Sequence, residues 1–291
     1  MDKFRAYLEA KDLVPRTVST QQKHIKRWLQ WLPVRVKDSR YSHLMDYIAH
    51  LQAAGTSVCR INKNLQAISN YYEFLELPNP AVSIRLRGQV QRTVLRPIAV
   101  DKMDDLYRVF EVQKVRSESS YFYHSDRIIL GLVIYQALEM GDFMVLKKSH
   151  VDLEKGCIYV PHRKQRMSRI IPLESHQILQ LHQYFIDGRE KTKREASEML
   201  FSPQAEDYHQ LHWQFKRLSK HVKKEAKTKL DLNIEKLNHL RQSRIAYWIK
   251  QYGLRKTQYL AGFRTIMSVE RYQNADMENL KEQVKLHHPH K

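Results

Sequence analysis

Apolar residues recur at helical spacing along most of this chain, and one short region has the pattern of paired strands instead. Residues 1–80 contain four helical segments, of which the first places Phe4, Tyr7 and Leu8 on one face. The strand pattern is confined to "HVDLEKGCIYV" and "RIIPL", which flank a basic loop. The periodicity therefore predicts a mainly α fold with a small β-sheet.

Proline and a basic stretch divide the helical segments into two groups. "PNP" at residues 78–80 must stop the fourth helix, because proline lacks the backbone N–H that a helix interior requires. The following "SIRLRGQVQRTVLRP" is basic and lacks a helical period. At 291 residues the chain can form one large or two ordinary domains. We therefore predict a helical domain at residues 1–85, a basic linker at 86–97 and a second domain at 98–291.

Positive charge is the strongest feature of the composition, since 50 Lys and Arg residues face 31 Asp and Glu residues, a formal net charge of +19. Such an excess favours a polyanionic partner, because each neutralised phosphate releases a condensed counterion. An anionic membrane surface would also attract the charge, but no single basic amphipathic tail stands out. Nucleic acid is the better interpretation. Basic residues on both sides of the linker fit enclosure of a duplex, and they equally fit a surface charged for solubility.

Several classes of function lose support because their motifs are missing. Cys59 and Cys157 are the only cysteines, which argues against a disulfide framework or a cysteine metal site and favours a reducing cytoplasm. The phosphate-binding patterns GxGxxG and Walker A and the zinc pattern HExxH do not occur. No apolar run reaches membrane-spanning length, and "MDKFRAYLEAKD" at the N-terminus lacks the apolar core of a secretory signal.

"MSVERYQNAD" places Tyr272 among charged and polar residues near the C-terminus. A half-exposed helix tyrosine would explain this setting, since the ring can pack while the hydroxyl stays in water. A tyrosine nucleophile would explain it too, but a phenol with an ordinary pKa of about 10 attacks poorly without help. It would require cations around the nonbridging phosphate oxygens and a proton donor for the leaving oxygen.

Candidates for those partners occur at two places. "LNHLRQSR" puts Asn238 and Arg241 three residues apart on one helix face, with Arg244 three residues further on. "HRKQRMSR" puts Lys164 at the tip of the predicted hairpin. Each of these residues alone is better explained as a solvated surface residue. Their order and spacing, together with Tyr272, favour a catalytic site.

In this order and spacing the sequence resembles the tyrosine recombinases, also called the phage-integrase family. The segments that match the family's motifs are "YQALEMGDFMVLKKSHVDLEKGCIYV", "HRKQRMSRIIPL", "NHLRQSRIAYWI" and "LAGFRTIMSVERY". The resemblance covers nearly the whole chain. It implies a helical, SAM-like core-binding domain that binds DNA, followed by a tyrosine-recombinase-type catalytic domain.

Three positions depart from the family's pattern. Glu139 stands where the family has its first catalytic arginine, and Asn238 and Phe263 stand where it has two histidines. Asn238 can still donate a hydrogen bond but cannot titrate, and Phe263 can do neither. The chain is similar to a divergent subgroup that lacks the first arginine and shares "LRQSR", "QYLAG", "ERYQ" and "HHP". The missing cation could come from another backbone position, for which the sequence offers Arg163, Arg166, Arg169 and Arg244.

The resemblance also implies roles for the candidate residues. Tyr272 would be the nucleophile and form a 3′-phosphotyrosyl DNA intermediate, and Arg241 would bind the nonbridging oxygens. Lys164 would protonate the leaving oxygen, and Asn238 would add a weaker hydrogen bond. Because the covalent link conserves the bond energy, the implied chemistry uses neither a nucleotide nor a metal cofactor.

The implied function is DNA strand exchange by a site-specific recombinase, an integrase or a transposase. Its partners would be double-stranded DNA and further copies of the chain in a homo-tetramer on paired sites, with the tail "MENLKEQVKLHHPHK" docked on a neighbour. Such a protein would be cytoplasmic and associated with the nucleoid. Two alternatives stay open: a catalytically impaired DNA-binding protein, which Glu139 and Phe263 favour, and an RNA-binding or membrane-surface protein, which only the charge supports.

Overall fold

The structure is a computed structural model that describes residues 1–88, 96–111, 120–164, 166–190, 198–201 and 208–273. It divides into two compact units, Met1–Gln91 and Arg92–Lys291. Much of the predicted linker, residues 89–95, lies outside the described residues, as does the C-terminal tail from residue 274 onward.

The first unit is built from helices. They are α1 (Asp2–Ala10), α2 (Pro15–Trp31), α3 (Tyr41–Ala53) and α4 (Val58–Phe74), with a 3₁₀ turn at Val36–Asp38. Pro15 opens α2, where the missing N–H has no intrahelical partner to lose. The apolar faces meet in one core that contains Phe4, Trp28 and Ile61. α4 ends at Phe74, ahead of the prolines that the sequence marks as its limit.

The second unit contains helices of 4 to 24 residues packed around one main core, to which α6 contributes apolar residues between positions 128 and 134. They are α5 (Val100–Val109), α6 (Ser120–Tyr135), α7 (Met140–Phe143), α8 (Ser175–Glu190), α9 (Tyr208–Leu230) and α10 (Leu237–Leu260). Gly253, at φ 74° and ψ 178°, breaks α10 in a conformation that is open essentially to glycine alone. The sequence predicts separate helices on the two sides of this glycine. Residues 267–273 form a further helical segment. None of the described helices combines the length and the apolar character needed to cross a membrane.

A small antiparallel sheet in the order β1-β2-β3 belongs to the same unit. Its strands are β1 (Val151–Asp152), β2 (Cys157–Val160) and β3 (Arg169–Pro172). β2 and β3 pair from Cys157 with Pro172 to Val160 with Arg169. The hairpin loop between them is described at residues 161–164 and 166–168. The predicted mainly α fold with a small sheet is confirmed. The sheet has one strand more than expected, because the residues before the Gly156 turn pair as well.

Candidate active site

Two carboxylates at the start of α7 organise the neighbourhood of the predicted site. Glu139 is the N-cap of α7, and its backbone N–H donates to Asp142 Oδ2 at 3.0 Å. Asp142 is fully buried and also accepts hydrogen bonds from Arg163 Nε and Nη2 at 3.0 and 2.8 Å, and from Arg169 Nη2 at 3.1 Å. Every oxygen of this carboxylate is thus engaged by the protein, so Asp142 is a structural anchor rather than a free acid.

Arg169 opens β3 and ties the sheet to α7. Its side chain has no exposed surface, and burial lowers its pKa, although the nearby Asp142 charge opposes that shift. Gly262 allows this arrangement, because a Cβ there would lie 2.3 Å from Arg169 Nη1. Gly141 does the same for Arg163, whose Nη1 would lie 2.1 Å from a Cβ at residue 141. Both glycines let a guanidinium rest directly on the backbone.

Glu139 lies between three arginines. Arg163 Nη2 donates to Oε1 at 2.5 Å, while Arg166 donates through Nε to Oε1 at 3.2 Å and through Nη2 to Oε2 at 2.6 Å. Arg241 Nη2 lies 3.8 Å from Oε2. Burial alone would raise the pKa of Glu139, but the Arg166 hydrogen bond and the charges of Arg241 and Arg166 lower it to about 2. Glu139 is therefore ionised at neutral pH, and its charge is balanced by the arginines around it.

Arg241 is held by the end of α6 and faces a cavity. Arg241 is 3% exposed, and its Nε donates to the Ala137 carbonyl at 2.8 Å. Its Nη2 has no hydrogen-bond partner within the described part of the chain. Asn238, one turn earlier on α10, lines the same cavity of about 270 Å³, together with Glu139 and Gly141. The predicted shared face of Asn238 and Arg241 is therefore present, with spare donor capacity on the arginine.

Phe263 forms an aromatic surface beside these cations. It is 6% exposed, with Arg166 Cζ 4.4 Å and Arg241 Cζ 5.6 Å from its ring centroid. Its backbone pairs with Arg166 as an isolated bridge, and the neighbouring Gly262 carbonyl accepts the N–H of Met167 at 3.0 Å. The hairpin loop is thus fastened to the segment that follows α10, and both guanidiniums make cation–π contacts with one ring.

Tyr272 packs on the same ring, and Lys164 joins the neighbourhood through its backbone. The ring centroids of Phe263 and Tyr272 are 5.9 Å apart, and Tyr272 is half-buried against the cluster that contains Ala246. Arg264 Nη1 donates to the Lys164 carbonyl at 3.0 Å, while the Lys164 residue is exposed on the hairpin loop. Of the four predicted site residues, Asn238 and Arg241 share a cavity, and Tyr272 adjoins Arg241 through Phe263.

Arg244 lies outside the cavity that Arg241 and Asn238 line, although it is only three residues from Arg241. Its Nε donates to the Ile134 carbonyl at 2.7 Å, and its guanidinium carbon is 5.4 Å from the rings of Tyr135 and Tyr247. It lines a separate cavity with Asp104. Arg241 and Arg244 therefore both bind carbonyls at the end of α6, but only Arg241 faces the cavity with Asn238.

The sequence did not indicate that Asp142 belongs to the site. It also did not indicate that Glu139 pairs with Arg166. The sequence feature that could have indicated these ion pairs is a loop with several cations together with a short acidic segment, "LEMGD", in the same unit. Within the described residues, no group of three His, Cys, Asp or Glu side chains is placed to hold a metal ion.

The comparison with protein families decides the membership of the chain. The sequence matches the Phage integrase family over residues 105–279, more than half of its length. The chain belongs to this family. The family resemblance expected from the motifs is confirmed. The match covers α10 and Tyr272 as well as the hairpin loop, so the whole candidate site lies within it.

Individual relatives are distant. The chain is similar to the tyrosine recombinase XerA of Thermococcus kodakarensis, with 24% identity over 176 residues that make up 60% of this chain and 57% of that protein. The aligned part is thus less than two thirds of that relative. Among solved structures, a Tn1549 transposon integrase in complex with a circular intermediate DNA has a TM-score of 0.65 at 13% identity, and covers 96% of this chain and 98% of that one. A lambda integrase tetramer bound to a Holliday junction also has a TM-score of 0.65, at 16% identity, and covers 93% and 75% of the two chains. These structures share the fold of this chain.

Proposed function

We propose that this protein is a DNA strand-exchange enzyme, a site-specific recombinase, integrase or transposase, which acts through a 3′-phosphotyrosyl DNA intermediate. The observation that carries the proposal is the unused hydrogen-bond donor of the buried Arg241. It is a buried guanidinium whose Nη2 group lacks a hydrogen-bond partner in the described residues and which lines a cavity with Asn238. A buried cation with an unused donor suits a phosphate oxygen, because charge-assisted hydrogen bonds of guanidinium to phosphate are strong and directional.

The proposed reaction needs no external energy source. Tyr272 loses its phenolic proton to solvent as Oη bonds to the scissile phosphorus, and the bond from phosphorus to the 5′ oxygen breaks. Lys164 gives a proton to that oxygen, which leaves as a 5′-hydroxyl. Arg241 stabilises the charge on the nonbridging oxygens, and Asn238 adds a hydrogen bond. Attack by another 5′-hydroxyl reverses these steps and joins the strand to a new partner.

The proposal extends to partners and domain roles. Double-stranded DNA is the substrate, which the net charge of +19 supports because DNA binding depends strongly on phosphate neutralisation. We assign core binding to the first unit and catalysis to the second. A homo-tetramer on paired DNA sites, acting at the nucleoid, is the proposed working form. The lambda integrase of similar fold forms a tetramer bound to a Holliday junction in its solved structure.

A second candidate is a DNA-binding protein of the same family with impaired catalysis. Two observations favour it. Glu139 places a negative charge beside Arg241, and Phe263 offers no hydrogen bond where the family's second histidine would stand. Loss of one preorganised donor commonly lowers a rate roughly a hundred- to thousandfold.

Trapping the covalent intermediate tests the proposal. The probe is a pool of nicked duplexes with random sequence around the nick, in which cleavage releases a short oligonucleotide that diffuses away and leaves the protein on the DNA. The wild-type chain should give adducts that resist SDS, and sequencing the trapped DNA would identify preferred sites. Tyr272→Phe should abolish the adduct and leave DNA binding in a gel shift nearly unchanged.

A matched variant controls for the loss of a hydroxyl group. Tyr252→Phe changes an exposed tyrosine of α10 whose ring centroid lies 4.2 Å from Lys256 Nζ. This variant should trap DNA as the wild type does. Adducts that survive Tyr272→Phe would mean that another residue is the nucleophile. DNA binding without any adduct would favour the impaired binding protein, and absence of DNA binding would contradict both candidates.

A further inference from the structure

The arginine cluster, defined as Arg163, Arg166, Arg169 and Arg241, carries more positive charge than its two carboxylates neutralise. Glu139 and Asp142 supply two negative charges to four guanidiniums, which leaves two positive charges in excess. An excess of this kind next to a cavity is expected to attract an anion.

The members of the cluster divide by the carboxylate that they bind. Arg169 bonds to Asp142, and Arg163 bonds to both Asp142 and Glu139. Arg166 bonds to Glu139 through its Nε and Nη2 edge, which leaves its Nη1 group outside this bidentate pair. Arg166 thus binds a single carboxylate, whereas Arg163 binds two, and the Nη1 group of Arg166 can donate to a second acceptor.

Arg166 and Arg241 lie against the same two groups. Both face Glu139 Oε2, at 2.6 and 3.8 Å from their Nη2 atoms, and both lie over the Phe263 ring. Since a single carboxylate oxygen lies within 4 Å of both Nη2 atoms, the two guanidiniums are close enough for one oxyanion to contact both. The unpartnered Nη2 of Arg241 is one of the two groups that would do so.

We propose that Arg166 is a catalytic residue that supplies, from the hairpin loop, the cation that the chain lacks at position 139. This rests on the proposed function. With Arg241 it binds the nonbridging oxygens of the scissile phosphate. Glu139 is a positioning residue that fixes the Nε and Nη2 edge of Arg166, and Phe263 supports both guanidiniums from one side. The negative charge at position 139 thus orients a cation instead of repelling the phosphate.

A test compares the trapping rates of Arg166→Ala and Arg163→Ala on the DNA selected from the nicked pool. Each is measured on that DNA and on the same DNA with a methylphosphonate at the scissile position, where one charged nonbridging oxygen is replaced by a methyl group. Arg163→Ala is the matched control, because Arg163 lies on the same loop and bonds to the same Glu139. Melting temperatures of the variants report any loss of folding.

The Arg166 proposal predicts a substrate-dependent defect. Arg166→Ala should trap the phosphodiester roughly a hundred- to thousandfold more slowly than the wild type, and the defect should shrink to about tenfold or less on the neutral methylphosphonate, where there is less charge to stabilise. Arg163→Ala should lower the melting temperature, and any rate defect should be the same on both substrates. Arg166→Lys keeps the charge without the planar fork, and its defect should be intermediate.

Other outcomes separate the two proposals. A wild-type rate for Arg166→Ala, or an equal defect on both substrates, would overturn the role of Arg166 and leave strand exchange intact. If Arg166→Ala fails to fold, a wild-type rate for Arg166→Lys would likewise overturn it. Failure of the wild-type chain to form any adduct would overturn the proposed function, and the Arg166 proposal with it.

Discussion

The charge of Glu139 should contribute measurably to stability, in a way that depends on pH. Its pKa is about 2 in the folded chain against an ordinary 4.5. A difference of this size corresponds to about 3 kcal/mol in favour of the folded state. Because the folded pKa lies below the ordinary value, this contribution is complete above pH 4.5 and is lost as the pH falls toward 2. About 2 kcal/mol of it should be gone at pH 3.

Glu139→Gln removes the charge and keeps a hydrogen-bond acceptor of the same shape. We expect it to lower the unfolding free energy of the second unit by about 3 kcal/mol at pH 7 and by about 1 kcal/mol at pH 3. Urea unfolding of the full chain, followed by far-UV circular dichroism at pH 7, 5 and 3, measures both values. The first unit is common to both proteins, so only the transition of the second unit should move.

Glu198→Gln is the matched control. Glu198 also pairs with a cation, Lys147 at 2.8 Å, but its side chain is 76% exposed. We expect no resolvable change in the urea transition, because solvent screens an exposed pair. The reasoning fails if Glu139→Gln and Glu198→Gln shift the transition equally, or if the effect of Glu139→Gln is as large at pH 3 as at pH 7.

Three further predictions follow from the same contacts. Asp142→Asn should destabilise the second unit by roughly 3–5 kcal/mol, because it leaves the buried Arg169 without its carboxylate; a melting temperature equal to that of the wild type would contradict it. Gly262→Ala should be clearly more destabilising than Gly156→Ala in urea unfolding, since both glycines have a positive φ but only at residue 262 would the Cβ meet a buried guanidinium; equal losses would show that Arg169 can move aside. DNA affinity in gel shifts should fall by roughly a thousandfold or more between about 50 and 200 mM salt if several phosphates are contacted, and a flat response would count against DNA as the partner.

Local sequence patterns were sufficient to predict the helices and strands, because these depend mainly on the spacing of neighbouring apolar residues. Helical periodicity and the strand pattern predicted the mainly α fold and the hairpin that carries Lys164. The three-residue spacing of Asn238 and Arg241 placed both on one face of α10, and they line one cavity. The same spacing did not predict the position of Arg244, whose Nε donates to the Ile134 carbonyl within α6, whereas Arg241 donates to the Ala137 carbonyl just after that helix.

The charge network could not be predicted from the sequence. Asp142 is 21 residues from Arg163 and 27 from Arg169, and no local pattern indicates which of the loop's cations it binds. The sequence showed Glu139 only as a replacement for the family's first arginine, whereas the structure surrounds it with three arginines. Partners in such a network are chosen by the tertiary packing that brings the loop to α7, including the glycines that let the guanidiniums approach.

The pairing of Glu139 with Arg166 also has a consequence for the descent of this chain. The two positions are 27 residues apart and form one bidentate contact. Loss of Glu139 leaves Arg166 without this carboxylate, whereas loss of Arg166 leaves Glu139 paired with Arg163. Arginine at position 139 would meet Arg166 with a like charge in place of the carboxylate. The contact therefore disfavours the single substitution of Glu139 by arginine, and we expect positions 139 and 166 to vary together among close relatives.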